Sequence, residues 1–215
     1  MIESVEVVLP CLDEAAALPA VLGALPPGYH ALVVDNGSTD GSAEVAAACG
    51  ARVVREARRG YGAAVHTGLE CARGDVVCVL DADGSIDPGE LPGLVEQLRQ
   101  ADLVVGRRVP TVRRALAWHA RAGNMVLAGW LRRLGVPVHD LAPVRVARRA
   151  DLLGLAIRDR GSGYPLETLL RAGAAGWVIR ELPVAYRPRV AGRSKVSGSV
   201  RGTLRAVRDM AAVLR

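Results

Sequence analysis

Phenylalanine is absent from this 215-residue chain, and all aromatic residues together make up 3% of it. A surface that holds single-stranded nucleic acid by stacking bases on rings has almost nothing to build with. Lysine is nearly absent too: Lys195 is the only one, so the 28 basic residues are otherwise arginine. The net charge of +6 invites a nucleic-acid reading. An arginine-, alanine- and glycine-rich composition that avoids lysine and phenylalanine is instead what GC-rich codons write. No helix-turn-helix or zinc-finger pattern accompanies the charge, so no nucleic-acid partner is expected. The positive balance suits a phosphate-bearing ligand or an anionic membrane surface better.

Other absences narrow the choice. No uninterrupted apolar run reaches the roughly 18 residues of a spanning helix. Met1-Ile2-Glu3-Ser4 has no basic stretch leading into an apolar one, so it does not read as a signal peptide. Cys11, Cys49, Cys71 and Cys78 form no CxxC pair and read as small, buried, reduced residues. His30, His66, His119 and His139 have no ligand spacing, which excludes a zinc site of ordinary type. The first strand is followed by Pro10-Cys11-Leu12-Asp13-Glu14. A nicotinamide oxidoreductase would show G-x-G-x-x-G there, and a nucleotidyltransferase a glycine- and lysine-rich loop. The expected location is the cytoplasm, with contact to a membrane from its inner face at most.

What the chain does contain is an alternation of short β-branched runs and longer helical stretches, the pattern of a mostly parallel sheet covered by helices. Val5–Leu9, stopped by Pro10, reads as the first strand, with Ala31–Val34, Arg52–Val54, Val76–Leu80 and Leu103–Val105 after it. Helices are expected over about 14–24, 41–49, 61–72 and 88–100. The second half carries a basic amphipathic stretch over 112–134 with Trp118 and Trp130, then helices near 149–155 and 163–174. A strand over Trp177–Tyr186 and a final helix over 200–214 complete it, with Val200, Leu204, Val207, Ala211 and Leu214 on one face. There is no repeat and no linker, so one domain is expected.

Ligands of open parallel sheets bind beyond the carboxyl ends of the strands. Three strands here end in acidic or polar loops: Pro10-Cys11-Leu12-Asp13-Glu14, Asp35-Asn36-Gly37-Ser38 and Asp81-Ala82-Asp83-Gly84. Two aspartates separated by one small residue both turn into a cleft once the strand has ended. Mg²⁺ or Mn²⁺ favours such carboxylates together with phosphate oxygens and water. A D-x-D is common by chance. Its place after an apolar strand, with two acidic loops upstream, is what points to chemistry.

These segments resemble glycosyltransferase family 2 with the GT-A fold, and within it the dolichyl- or polyprenyl-phosphate mannosyl- and glucosyltransferase branch. The resemblance spans nearly the whole chain, with its motifs in order. They are Val8–Glu14, Val33–Asp40, Arg59-Gly60-Tyr61-Gly62, Leu80–Gly84, Val105-Gly106-Arg107-Arg108, Gly161–Tyr164 with Glu167, and Gly192-Arg193-Ser194-Lys195. It implies a Rossmann-like three-layer sandwich in which residues 1–108 bind a nucleotide sugar and 109–215 the acceptor. Pro10, Asp13 and Glu14 would border the nucleoside, Asp35 would accept a hydrogen bond from the base, and Arg59 would lie near base or phosphates. Asp81 would meet ribose or metal, and Asp83 would be the main metal ligand. Arg107 and Arg121 would hold an acceptor phosphate, and Arg193, Ser194 and Lys195 would form a basic lid. Two departures stand out. Ser85 replaces a glutamine that helps hold the metal in many lipid-phosphate relatives, and Leu141-Ala142-Pro143-Val144-Arg145 replaces a Thr-Ser-Gly-Phe-Arg stretch.

The implied reaction is an inverting displacement from a UDP- or GDP-sugar, dependent on Mg²⁺ or Mn²⁺. The acceptor is a polyprenyl phosphate, or alternatively the hydroxyl of a soluble small molecule. A phosphate acceptor needs no base. A hydroxyl does, and Glu167 and Asp140 are the candidates. A non-catalytic lipid-binding module is the rival from another class, disfavoured because acidic loops weaken binding to anionic lipid.

Overall fold

The computed structural model describes residues 4–112, 118–190 and 200–213. Seven strands form one sheet: β1 (Val5–Cys11), β2 (Tyr29–Asp35), β3 (Arg52–Arg55), β4 (Val76–Val79), β5 (Leu103–Pro110), β6 (Val144–Arg148) and β7 (Ile179–Tyr186). Their order is β3-β2-β1-β4-β6-β5-β7, and only β6 runs antiparallel to its neighbours. Both faces are covered by helices, which is why the strands read as continuous apolar runs instead of alternating ones. Along β1, Val7 and Leu9 face one layer and Val8 the other. The Val8 layer packs against α3 (Tyr61–Cys71), α5 (Trp118–Arg133), α6 (Arg149–Gly154), α7 (Tyr164–Ala174) and α8 (Val200–Val213). The opposite layer packs against α1 (Leu18–Gly23), α2 (Ser42–Ala48) and α4 (Leu91–Glu96).

Several expectations need correcting. Pro10 does not stop β1, which runs on to Cys11 beside Asp35. The Val8 carbonyl accepts from Leu80 N–H, so Val8 and, two residues on, Pro10 both face β4. Pairing with β4 has ended by then, and the N–H that proline lacks has no partner to miss. The first helix begins at Leu18, not near residue 14, because 11–15 are tied into the loop after β2. The helix after Pro88 is a short α4 between two 3₁₀ turns. In α8 Ala206, Met210 and Val213 turn to the core and Ala211 is exposed, whereas Leu214 and the side chains of Val200, Leu204 and Val207 lie outside the described residues. Of the cysteines, Cys11 and Cys78 are buried, Cys71 is half-buried and Cys49 is exposed. Trp130 packs against the core, and the Trp118 side chain lies outside the described residues. No helix among the described residues is long and apolar enough to cross a membrane.

Besides the sheet itself, the two halves meet at the start of α3. Gly60 has φ +150°, and a Cβ on it would lie 2.1 Å from the Arg160 carbonyl oxygen. A Cβ on Gly62 would lie 2.8 Å from Tyr164. These glycines let the start of α3 lie directly on the 160–164 turn, where the Gly62 and Ala63 N–H groups donate to the carbonyls of Gly161 and Arg160.

Candidate active site

The carboxyl ends of β1, β2 and β4 are neighbours in the sheet, so their loops converge. Short polar side chains lock them together. Ser38 Oγ accepts from Asp13 N–H at 2.9 Å, Ser42 Oγ from Glu14 N–H at 2.9 Å, and Asp40 Oδ2 from Ala15 N–H at 3.0 Å. Asp13 Oδ1 accepts from Thr39 N–H at 2.8 Å, with Asp13 itself at φ +53°, a left-handed conformation that aspartate tolerates better than most residues. Asp35 is buried and accepts from Ser38 N–H at 3.0 Å. Asn36 extends the network to a third loop: its amide donates to the carbonyls of Glu56 and Arg58 and accepts from Gly60 N–H. Arg59 is exposed and lies over Gly37, its guanidinium carbon 3.0 Å from where a Cβ would be. Pro10, Asp13, Glu14 and Asp35 thus belong to two loops fastened to each other, with Arg59 over the second of them.

The loop after β4 carries the D-x-D. Asp83 is buried, and its Oδ1 accepts from Ser85 N–H at 2.8 Å. Its Oδ2 lies 2.9 Å from Arg189 Nη2 but without the angle of a hydrogen bond, so that oxygen's lone pairs stay unsatisfied. Ser85 is also buried, and among the described residues its hydroxyl has no partner. The Asp81 carboxyl is raised above the usual range by burial and then by the neighbouring Asp83 charge, partly offset by Arg189, Arg108 and Arg145. Two like charges and the arginines around them, crowded beside a strand end, form a site built for charge.

Residues 6–138 match the profile of Glycosyl transferase family 2, which is more than half of the chain. The chain is a family 2 glycosyltransferase. It is 57% identical over 209 residues to an uncharacterized glycosyltransferase of Mycobacterium tuberculosis, covering 96% of each chain. It is 33% identical over 220 residues to the undecaprenyl-phosphate mannosyltransferase of Micrococcus luteus, covering 91% of this chain and 88% of that one. Among solved structures it is similar to glucosyl-3-phosphoglycerate synthase of M. tuberculosis in complex with Mn²⁺, UDP and glucosyl-3-phosphoglycerate. The TM-score is 0.77 at 26% identity, over 98% of this chain and 78% of that one. The same synthase has been solved with Mg²⁺ and UDP. The sheet order and its helical layers are accordingly those of the GT-A fold.

In this glycosyltransferase the donor set at the D-x-D fits a divalent cation. Asp83 Oδ2 is a buried carboxylate oxygen with no hydrogen bond, and Asp81 lies beside it. No cluster of three or more acidic, histidine or cysteine side chains among the described residues makes a closed cage. Mg²⁺ and Mn²⁺ do not need one, because they keep waters and take substrate phosphates as further ligands.

The expected base candidates are otherwise engaged. Glu167 accepts from Arg158 N–H at 3.0 Å, Asp159 N–H at 2.6 Å and Arg171 Nε at 2.6 Å. Burial raises its carboxyl, but these hydrogen bonds outweigh that and hold it below the usual range. Asp140 receives Arg108 through Nε at 2.8 Å and Nη2 at 2.6 Å, plus the Arg108 N–H at 2.9 Å. Both carboxylates tie the chain together and present no vacant oxygen to an acceptor proton.

The arginines divide between the surface and the D-x-D. Arg107 is 45% exposed and points to Glu181, 3.7 Å away, which also binds His139. Arg121 is exposed on α5. Arg193, Ser194 and Lys195 lie outside the described residues. The guanidiniums whose charge reaches Asp81 are Arg108, Arg145 and Arg189. Arg145 is buried on β6, and its Nη2 donates to the Leu141 carbonyl at 2.6 Å while Nε and Nη1 find no partner among the described residues. One clue to it was available: an arginine inside the apolar run Val144–Ala147 is costly unless it faces charge. Arg189 had no such clue, because only the path of the chain after β7 brings it to Asp83.

Proposed function

We propose that this glycosyltransferase moves a hexose, with inversion, from a UDP- or GDP-sugar to a polyprenyl-phosphate-type acceptor, with Mg²⁺ or Mn²⁺ at Asp81 and Asp83. The observation that carries the choice of acceptor is that both candidate bases, Glu167 and Asp140, are held in ion pairs. An acceptor phosphate is already ionised and asks for no base. Its oxygen forms a bond to the anomeric carbon as the bond from that carbon to the diphosphate oxygen breaks, and no proton needs to move. The undecaprenyl-phosphate mannosyltransferase among the relatives supports this reading.

Residues 1–108 form the donor half. Pro10, Asp13, Glu14 and Asp35 border the nucleoside, and Arg59 covers it from the exposed side. When bound, the divalent cation supplies the positive charge that a departing diphosphate requires. In the acceptor half, 109–215, Arg108 at the border and Arg145 set a positive field around Asp81 that favours an anionic acceptor over a neutral one. Arg107, Arg121, Arg193, Ser194 and Lys195 remain the outer basic residues along which a lipid phosphate approaches. Met125 and Val126 stand exposed on α5 with Arg121, Arg132 and Arg133, which suits contact with an anionic membrane face.

The test is incubation of purified protein with Mn²⁺, radiolabelled UDP- or GDP-hexose and undecaprenyl phosphate, followed by solvent extraction. Label in the lipid fraction supports the proposal. Label confined to a water-soluble product, or no transfer at all, refutes it. A soluble phosphate-bearing acceptor is the second reading, favoured by the likeness to a synthase solved with phosphoglyceric acid.

A further inference from the structure

Arg189 lies on the segment that follows β7, and that segment is fastened across the D-x-D turn. Arg187 N–H donates to the Ser85 carbonyl at 2.8 Å and Val190 N–H to the Asp83 carbonyl at 3.2 Å. Val190 also lies against Gly84, where a Cβ would come within 2.6 Å of its Cγ2. Between these anchors the Arg189 guanidinium reaches inward, with Nη2 2.9 Å from Asp83 Oδ2 and Nη1 3.4 Å from Glu14 Oε1. The side chain is 25% exposed, so it has a way out, whereas Asp83 is 2% exposed.

We infer that Arg189 is a built-in counter-ion occupying the metal-binding face of Asp83, so that the divalent cation is taken up together with the nucleotide and not before it. The inference rests on the proposed metal site and adds a control to it. Asp83 Oδ2 is the oxygen a cation would use, and a monovalent cation already sits on it without a proper hydrogen bond. That contact is electrostatic and exchangeable, not a fixed structural bond. A metal arriving alone must expel the guanidinium from two carboxylates and leave it unpaired. A metal arriving with a nucleoside diphosphate brings phosphate oxygens as further ligands and an anion for the displaced guanidinium to meet. The backbone anchors on either side need not move, so the exchange is a side-chain swing.

Mn²⁺ binding, followed by the electron paramagnetic resonance signal of free Mn²⁺, tests this. It is measured with and without UDP or GDP for the wild type, Arg189→Met, Arg189→Lys and Asp83→Ala. Without nucleotide, Arg189→Met is expected to bind Mn²⁺ about tenfold more tightly than the wild type, the scale of one charged contact. Arg189→Lys keeps the weak wild-type affinity. With nucleotide present, the advantage of Arg189→Met shrinks or reverses. Unchanged or weaker nucleotide-free affinity in Arg189→Met overturns the inference. Should that variant fail to fold, thermal unfolding of the wild type decides. Mn²⁺ and nucleotide together must raise the midpoint by more than the sum of their separate shifts, and additivity overturns the inference. Absence of Asp83-dependent Mn²⁺ binding in the wild type even with nucleotide would remove the metal reading itself. Normal Mn²⁺–nucleotide binding without the Arg189 effect would remove only this inference.

Discussion

Asp83 keeps one oxygen whose contact is the Arg189 charge and not a hydrogen bond, whereas both oxygens of Glu167 accept backbone hydrogen bonds. Residues of one chemical class therefore do different work, and mutations should separate them. Asp83→Ala is expected to abolish hexose transfer at any Mn²⁺ concentration while the protein still unfolds cooperatively on heating. Full transfer by that variant would remove the metal from the reaction. Glu167→Gln should behave in the opposite way. It loses about 1.5–3 kcal/mol of stability through broken charged hydrogen bonds. Turnover per folded molecule stays near the wild-type value, where loss of a general base would cost about 10²–10⁴-fold. Denaturant melts and active-site-normalised rates measure the two effects.

Asp140 carries a pH dependence whose sign can be worked out. Burial alone would raise its carboxyl, but the Arg108 hydrogen bonds and charge, with the N–H groups of Arg108 and Ala142, bring it below the usual range. A group depressed in the folded state stabilises fully above its unfolded value, near pH 4, and loses that contribution as pH falls through the lower folded value. Asp140→Asn should cost about 3 kcal/mol near neutrality, because Arg108 is left without its partner. It should also flatten the acid side of the stability profile. An acid limb identical to the wild type would show that the pair does not govern it.

Among the elements, the start of α3 shows that a glycine-rich segment beside the acidic loops can serve packing. The N–H groups of Gly62 and Ala63 are taken by the carbonyls of Gly161 and Arg160, so this helix end joins the two halves of the fold. Gly60→Ala is expected to destabilise by about 3 kcal/mol, the upper range for overpacking against backbone. In a chain of this size that is a fall of roughly 6–12 °C in the unfolding midpoint. A loss of nucleotide affinity with an unchanged midpoint would instead make Gly60 a ligand contact. The short strand β6 is the other instructive element. It runs antiparallel between β4 and β5 and pairs Arg145 with Val79, so that its charge reaches Asp81 from a strand far away in the chain.

For the whole molecule, a charge of +6 on an arginine-rich surface and the exposed apolar residues of α5 bear on where the acceptor is met. The protein should sediment with vesicles containing anionic phospholipid at low ionic strength and be released as salt rises, since exposed charges are screened over about 10 Å at 0.1 M salt. Replacing Met125 and Val126 with glutamate should weaken that sedimentation without lowering the unfolding midpoint. Sedimentation with neutral vesicles to the same extent would exclude the electrostatic component.

The order of strands and helices, the two apolar layers and the three acidic loops were legible in the sequence, because they are set by local periodicity and by what ends a strand. The roles expected of Asp81, Asp83 and the donor-side residues come from the family resemblance of their segments, not from periodicity or spacing. The partners of Glu167 and Asp140, the pairing of Arg108 with Asp140, and the arrival of Arg189 at Asp83 were decided only by tertiary structure. Each depends on which residue distant in the chain is brought within about 3 Å, and charge compensation acts over that distance in space, not along the sequence.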